Sequence, residues 1–413
     1  MGCGTSKAKS DTELIIDKNI DWVKTVETGQ KVNSYNRNQD PKSKRTRQRP
    51  KFEAKFDARV TAKYDIKALI GKGSYSRVVR VEHIATKQPY AIKMVEKKQI
   101  EGKLVQSWEI ELNILKRVRH TNIIQLIEVF HGRGHVYMVM ELATGGELFD
   151  RIVSKGHFTE RDATVVLRML LDALRYIHNL GITHRDVKPE NMLYYHPGND
   201  SKIMITDFGL ASCRTSGDDS SMMNTVCGTP EYIAPEILLR KKYNQAVDIW
   251  ATGVVAYILL SGRMPFDDES RTRLYRKIVR AKYSFSGEPW KDVSPAAKDF
   301  LNKVLIVNPA ERLTSAQCLK HPWIASNASQ SNLKNLHRSI SQNWLKRTST
   351  RSRSSRSAHS NRSAKSQRSG KSMRSSRSQR LPPLRKLPDV KDVSRTGSDS
   401  STKPKDSTKQ NGV

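Results

Sequence analysis

Thirty-four consecutive residues, Arg347–Arg380, read RTSTRSRSSRSAHSNRSAKSQRSGKSMRSSRSQR, with no acid and no aromatic side chain among them. Such a run cannot bury enough apolar surface to offset the entropy of ordering its backbone, so it is expected to be disordered. Any fold must be built from the rest of the chain, and the charge follows the same division. The 413 residues carry 73 Lys and Arg against 41 Asp and Glu, a net +32. Residues 331–413 hold +17 of this and residues 1–60 hold +6, including a basic cluster at Lys42–Lys51. Only +9 remains for the 270 residues between, an ordinary surface excess. A protein that coats nucleic acid would carry its basic excess through the folded part as well.

The longest apolar run, Val254–Leu260, falls far short of the roughly 20 residues that a membrane-spanning helix needs. No apolar stretch follows the first Met, which argues against a secretory signal. Cys3, Cys213, Cys227 and Cys318 have neither CxxC spacing nor the density of a disulfide framework. An intracellular protein without a zinc site is expected. Its divisions read as an N-terminal arm (1–63), one domain (64–324), a basic amphipathic segment (331–348) and a tail (349–413).

Within the domain, VVRVEHI and YAIKMV have the β-branched character of paired strands over Tyr64–Lys97. From Thr159 onward the pattern becomes helical, as in ERDATVVLRMLLDALRYIHNLG, which ends at Gly181. Strands first and helices afterwards predict an α+β protein with two lobes.

Five strings carry chemistry. The first, IGKGSYSRV, comprises Ile70, Gly71, Lys72, Gly73, Ser74, Tyr75, Ser76, Arg77 and Val78. Its glycines suit either close approach of backbone amides to a triphosphate or an ordinary hairpin, and Ser76 stands where a third glycine is usual. In the second, YAIK, Lys93 follows alternating apolar residues and needs a carboxylate partner to act on phosphates. Glu111 is the better candidate than Glu109, because it shares a helix side with Ile114 and Leu115. The third, THRDVKPEN, offers Asp186 as a base for a substrate hydroxyl, Lys188 to neutralise a transferring phosphoryl group and Asn191 as a metal ligand. The fourth, DFG at Asp207–Gly209, places a carboxylate after the apolar run KIMIT, suited to Mg²⁺. The fifth is GTPEYIAPE, Gly228–Glu236.

In this order and spacing the strings match the protein-kinase signature set over roughly Tyr64–Ile324. The chain resembles a serine/threonine protein kinase of the calcium/calmodulin-dependent kinase group, with MELATGGELFDRI and KHPWI among the matching strings. The resemblance implies a bilobal fold, a small strand-rich N-lobe on a large helical C-lobe, with ATP and Mg²⁺ in the cleft. It implies Met140 as gatekeeper, Glu141 and Ala143 as hinge contacts, and Glu147 in the nucleotide-binding set. It makes Leu115, Leu126, His184 and Phe208 a spine between the lobes, Asp248 a buried support of the catalytic loop, and Arg312 the partner of Glu236. Lys188 after Asp186, with Thr229 before Pro230, resembles the serine/threonine class. Glu147 and Glu190 occupy positions that meet an Arg three residues before the phosphoacceptor, so protein substrates with basic motifs are implied. Ile258 stands where some relatives place an acid for an Arg at minus two. Thr225 offers an activation-segment phosphosite that could pair with Arg185, unless Asp218 or Asp219 supplies that charge. A catalytically dead scaffold is the competing class, but Lys93, Glu111, Asp186, Lys188, Asn191 and Asp207 are all present. An RNA-binding adaptor would rest on the tail alone.

The start, MGCGTSK, fits myristoylation of Gly2, and Cys3 is the natural palmitoyl site that would make anchoring stable. After the domain, Leu333, Leu336, Ile340 and Trp344 recur at helical spacing among Lys334, His337, Arg338, Lys346 and Arg347. This segment reads as a calmodulin target, a helix docked on the C-lobe, or a membrane-surface helix. The Arg/Ser tail reads as a solvated arm, a weak contact for RNA or nuclear speckles, or an attachment to anionic lipid, each reversible by serine phosphorylation. A monomer is expected, anchored at Golgi or plasma membrane, with cytoplasmic and nuclear pools.

Overall fold

The computed structural model describes residues 56–72, 76–97, 105–213, 223, 227–329 and 331–345. Gly2, Cys3, Gly73, Ser74, Tyr75, Thr225 and the Arg/Ser run lie outside the described residues.

The N-lobe is a five-stranded antiparallel sheet with strand order β1-β2-β3-β5-β4. Its strands are β1 (Tyr64–Lys72), β2 (Ser76–His83), β3 (Pro89–Glu96), β4 (Leu126–His131) and β5 (His135–Glu141). Alternation along β5 divides the faces, since side chains two residues apart share one face of a strand. Tyr137 and Val139 join Val79, Val81, Ile92 and Met94 in an outer cluster. Val136, Met138 and Met140 join the main core instead. The outer cluster is covered by helix α1 (Ala58–Thr61), whose Val60 is fully buried. Folded structure therefore starts before Tyr64, because Val60 and Phe56 cover an apolar sheet face that would otherwise meet water.

Helix α2 (Val105–Arg117) lies on the inner side, burying Leu112, Ile114 and Leu115 with Val95 and Met138. The C-lobe begins with α3 (Leu148–Lys155) and α4 (Glu160–Asn179). Thr159 and Asp162 form a reciprocal capping box at the start of α4, and Gly181 follows its end at φ 73°. Short strands β6 (Ile182–Thr183), β7 (Met192–Tyr194), β8 (Ile203–Ile205) and β9 (Ser212–Cys213) pair as β6-β9 and β7-β8. Then come α5 (Pro235–Leu238), α6 (Ala246–Ser261), α7 (Arg271–Val279), α8 (Glu288–Lys291), α9 (Pro295–Val304), α10 (Ser315–Lys320) and α11 (Pro322–Ala325). Every residue of α6 from Val247 to Ser261 is buried, which explains its apolar run: a helix surrounded by protein has no solvent face. At Gly253 an added Cβ would stand 2.7 Å from Val304 Cγ2, so α9 packs there against bare backbone.

Residues 337–345 form a last helix, α12, packed on the C-lobe. Leu336, Ile340 and Trp344 are buried, while Leu333 is 44% exposed. Its anchors are Leu336 N–H to Phe158 O at 2.7 Å, Asn343 Nδ2 to Ser261 O at 3.0 Å, and an ion pair between Lys334 and Asp292. Of the three readings of this segment, the geometry is that of a docked helix.

Candidate active site

Strand alternation places Lys93 on the inner sheet face with Val95, across from Val78 on β2 and Met138 on β5. Its Nζ stands 2.6 and 2.9 Å from the two carboxylate oxygens of Glu111 and 3.3 Å from Asp207 Oδ1. Burial works against a charged lysine, yet Glu111 and Asp207 outweigh it and hold the Lys93 pKa above the ordinary lysine value. Asp207 is depressed in turn: burial raises it, but Lys93, His184 and the Gly209 N–H favour the carboxylate more. The Asp207 backbone has φ 63°, a left-handed conformation that is costly for a residue with a Cβ. It directs a half-exposed carboxylate toward Lys93.

Asp186 is the centre of a second cluster. Its Oδ2 accepts from Lys188 Nζ at 2.6 Å and from Asn191 Nδ2 at 3.0 Å. Its Oδ1 accepts from the Thr229 hydroxyl at 3.3 Å, and Lys188 also donates to Thr229 Oγ1 at 3.1 Å. Beneath it, Asp248 on α6 accepts from the N–H groups of His184 and Arg185 at 2.9 and 2.8 Å and meets His178 Nε2 at 2.9 Å. Burial opposes ionisation of Asp248, and these bonds with the His178 and His184 rings hold its pKa below the ordinary value. The fixed carboxylate secures Arg185 at φ 67° and so fixes the bend that presents Asp186. The Arg185 guanidinium donates to Leu210 O, Ala211 O and the Tyr243 hydroxyl.

The two clusters meet through the β7-β8 hairpin. Met192 pairs with Ile205, and Thr206 N–H donates to Asn191 O at 3.0 Å, which sets Asn191 beside Asp207 in the fold. Since Asn191 Nδ2 is turned to Asp186, its Oδ1 is the atom open to a cation. The pair offers hard oxygen donors, which suit Mg²⁺.

The remaining sites fall around this centre. Ile70, Gly71 and Lys72 lie on β1 and Ser76, Arg77 and Val78 on β2, with Gly71 opposite Val78 and Lys72 opposite Arg77. Met140 is buried at the end of β5 opposite Ala91, and Glu141 donates its N–H to Gln125 O at 3.0 Å while its Oε2 accepts from the Gln125 N–H at 3.3 Å. Ala143 follows, half-buried, before α3. Leu115, Leu126, His184 and Phe208 are all buried, with the His184 and Phe208 rings edge to face at 4.8 Å. Arg312 donates from Nη1 and Nη2 to the two oxygens of the Glu236 carboxylate, at 2.9 and 3.1 Å.

Glu147 bridges to Leu193, which brings it to the end of the hairpin that carries Glu190. As a residue it is exposed, but the protein packed around its carboxyl, with the charges of Asp150 and Glu190, pushes its pKa up to about 7. Asp150 is the member of this trio that the sequence reading missed. Its three-residue spacing from Glu147 on a helical string was the available signal.

A family model described as protein kinase domain matches residues 64–324. The chain belongs to the protein kinase family. Serine/threonine-protein kinase H1 of Bos taurus is 58% identical over 388 residues, covering 86% of this chain and 91% of that protein. Serine/threonine-protein kinase H1 of Homo sapiens is 69% identical over 304 residues, covering 74% and 71%. Calcium/calmodulin-dependent protein kinase type 1 of Macrobrachium nipponense is 45% identical over 314 residues, covering 75% and 88%. This kinase is therefore a serine/threonine kinase of the H1 family, and the expected strand-rich N-lobe and helical C-lobe are those observed.

Proposed function

We propose that this kinase transfers the γ-phosphoryl group of MgATP to Ser or Thr hydroxyls that follow an Arg by three residues. The observation that carries this reading is the Asp186 carboxylate, 7% exposed and held on both oxygens by Lys188, Asn191 and Thr229. Asp186 orients the incoming hydroxyl and takes its proton as the new O–P bond forms and the β–γ bridge bond breaks. Lys188 lies where negative charge grows on the transferred group. Lys93, aligned by Glu111, holds the α- and β-phosphates. Asn191 and Asp207 would hold Mg²⁺, which neutralises phosphate charge when bound. Ile70–Val78 would cover the phosphates, and Met140, Glu141 and Ala143 would take the adenine. Glu147 and Glu190, with Asp150, supply the charge that selects an Arg at minus three.

The test is a peptide kinase assay on the full chain and its Asp186→Asn variant, with and without Ca²⁺-calmodulin. Loss of about 10²–10⁴ in kcat is expected, the range for removing a positioned base. Equal activity in the two proteins refutes the assignment.

The same reading includes an acylated start, with myristate on Gly2 and palmitate on Cys3, placing the enzyme on Golgi or plasma membranes. Gly2→Ala should then shift it to the soluble fraction. It also includes calmodulin as a partner of residues 331–348. Because Leu336, Ile340 and Trp344 are buried on the C-lobe, calmodulin must compete with that docking for the same side chains. Through the Arg/Ser tail, nuclear-speckle RNA and anionic lipid remain competing ligands, both weakened by serine phosphorylation.

A further inference from the structure

The acidic trio at one edge of the active site has a basic counterpart that the reaction does not use. Arg240–Lys242 and Arg271–Lys282 together hold nine Lys and Arg and no acid. Asp268, just before α7, pairs with Arg273 and Lys277. The other seven form no ion pair among the described residues, and Arg240, Lys241, Lys242, Arg276 and Arg280 are all exposed.

Helix α7 buries Leu274 and Ile278. At 3.6 residues per turn, Arg273, Arg276 and Arg280 fall within roughly 60° on the opposite side. The helix dipole accounts for only part of this charge: Arg276 and Lys277 lie in the last turn, where cations are favoured. The first turn has no acid and contains Arg271 and Arg273, where the helix dipole disfavours cations, and Ser270 makes no side-chain cap. Like charges repeated along one face add repulsion. An exposed basic surface in which seven of nine cations have no ion-pair partner among the described residues points to an external partner.

The surroundings say which. Helix α7 packs on α5, which follows the Pro230–Tyr232 turn directly after Thr229. Met223, between the DFG string and Thr229, exchanges backbone hydrogen bonds with Tyr243 at 3.1 and 2.9 Å, so Met223 itself lies beside the residue that follows the exposed Arg240–Lys242. Asp186 is linked to the basic surface through Thr229 and α5. Through the Pro189–Asn191 turn it is linked to the acidic trio. A partner that lies along both must be positive at one end and negative at the other. An anionic bilayer would be repelled at the acidic end; a bipolar polypeptide would not.

We propose that Arg273 and Arg276 of α7 and Arg280 at its C-cap, with Arg240–Lys242, dock an acidic stretch of the protein substrate C-terminal to its phosphoacceptor. This deepens the proposed function and rests on its Arg-directed reading, in which the acidic trio takes the N-terminal side. The surface sets substrate affinity and takes no part in phosphoryl transfer, so its signature is in KM.

Full-length kinase and its Arg276→Ala/Arg280→Ala variant are compared on two peptides. Both carry Arg at minus three; one ends shortly after the phosphoacceptor, and the other continues with a block of Asp and Glu. The wild type should use the acidic peptide with a KM about fivefold lower at low salt, an advantage that fades near 0.5 M NaCl as exposed charges are screened. The variant should lose that advantage with kcat unchanged and use the short peptide as well as the wild type does. Equal preference for the acidic block in both enzymes overturns the proposal. So does loss of phosphatidylserine-vesicle binding in the variant with its peptide preference intact, which makes the stripe a membrane contact. Replacing Arg at minus three by Ala tests the underlying reading separately: if that leaves KM unchanged in the wild type, the Arg-directed reading fails whatever the acidic block does.

Discussion

Trp344 stacks on Phe149 with ring centroids 4.1 Å apart and planes inclined by 15°. Phe149 belongs to α3, whose N-cap is Glu147 and whose first turn holds Asp150. The segment after the catalytic domain is thus seated on the helix that carries two of the three acids proposed to select the substrate. The seat is close: at Gly262, which ends α6 with φ 68°, an added Cβ would stand 2.6 Å from Ile340 Cα. Only a residue without a side chain leaves room there for the backbone of α12.

Trp344→Ala should release this segment and leave the kinase domain folded. The lost ring belongs to a peripheral helix, so the cost falls on docking before it falls on the core. Amide exchange over residues 336–345 is expected to rise by at least about tenfold, a loss of about 1.4 kcal/mol in local stability. Exchange in α6 should not change. A related outcome concerns calmodulin: the isolated 331–348 peptide should bind Ca²⁺-calmodulin more tightly than the full chain, because the chain must first undock. Equal affinity would mean that docking and calmodulin do not compete.

The acidic trio gives substrate selection a pH dependence. With its pKa near 7, Glu147 is largely protonated at pH 6 and ionised at pH 8, so attraction for Arg at minus three grows as pH rises. The KM for an Arg-containing peptide should fall over that interval, while a peptide with Ala there should show no such trend. Glu147→Gln should flatten the profile. Stability falls as that attraction grows: a carboxyl whose pKa is raised from 4.5 to about 7 by folding makes the native state progressively less stable as pH rises between those values. KM for the Arg-containing peptide and the urea midpoint should therefore both fall as pH rises through the interval where the two windows overlap.

Much of the site was legible because each chemical role is confined to a short string whose local structure is also written locally. Lys93 could be placed on a strand from the pattern of YAIKMV, and Glu111 could be chosen over Glu109 from its helix side. The Arg312–Glu236 pair, spanning 76 residues, came only from the family resemblance. Other features depend on tertiary proximity that no local pattern encodes. The Thr229 hydroxyl reaches Asp186 across 43 residues, and Trp344 finds Phe149 across nearly half the chain. The helical spacing of Leu336, Ile340 and Trp344 announced an apolar face without saying what would cover it. Val60 was missed for a different reason: a lone apolar residue after a polar arm has no periodicity, and only the exposed sheet face explains it.

Glu111→Gln tests whether Lys93 is placed by charge or merely by shape. The amide keeps the volume of Glu111 but removes the carboxylate that Lys93 contacts at 2.6 Å. Asp207 is then left as the neighbouring anion, and Lys93 should shift toward it, away from the phosphates. We expect kcat/KM for ATP to fall by about 10²-fold, comparable to the loss of one preorganised electrostatic contact, with a smaller change in peptide KM. The measurement is steady-state kinetics with ATP varied at saturating peptide. A change confined to peptide KM would remove Glu111 from the nucleotide site.

Arg312 and Glu236 form the most completely buried ion pair among the described residues, with side chains 0% and 3% exposed. Arg312 also donates to Ala246 O at the start of α6 and to Ile306 O, so one guanidinium joins the end of the activation segment to two parts of the C-lobe. Arg312→Met retains much of the packing volume and strands the Glu236 carboxylate, which should cost about 3–5 kcal/mol, the penalty for one unpaired buried charge. Glu236→Gln/Arg312→Met removes both charges and should recover part of that loss, though not the two carbonyl contacts. Urea unfolding of the two variants against the wild type measures the difference. If the double variant is no more stable than Arg312→Met, the pair acts through the Arg312–carbonyl bonds rather than through its charge, and Glu236 is a bystander in C-lobe stability.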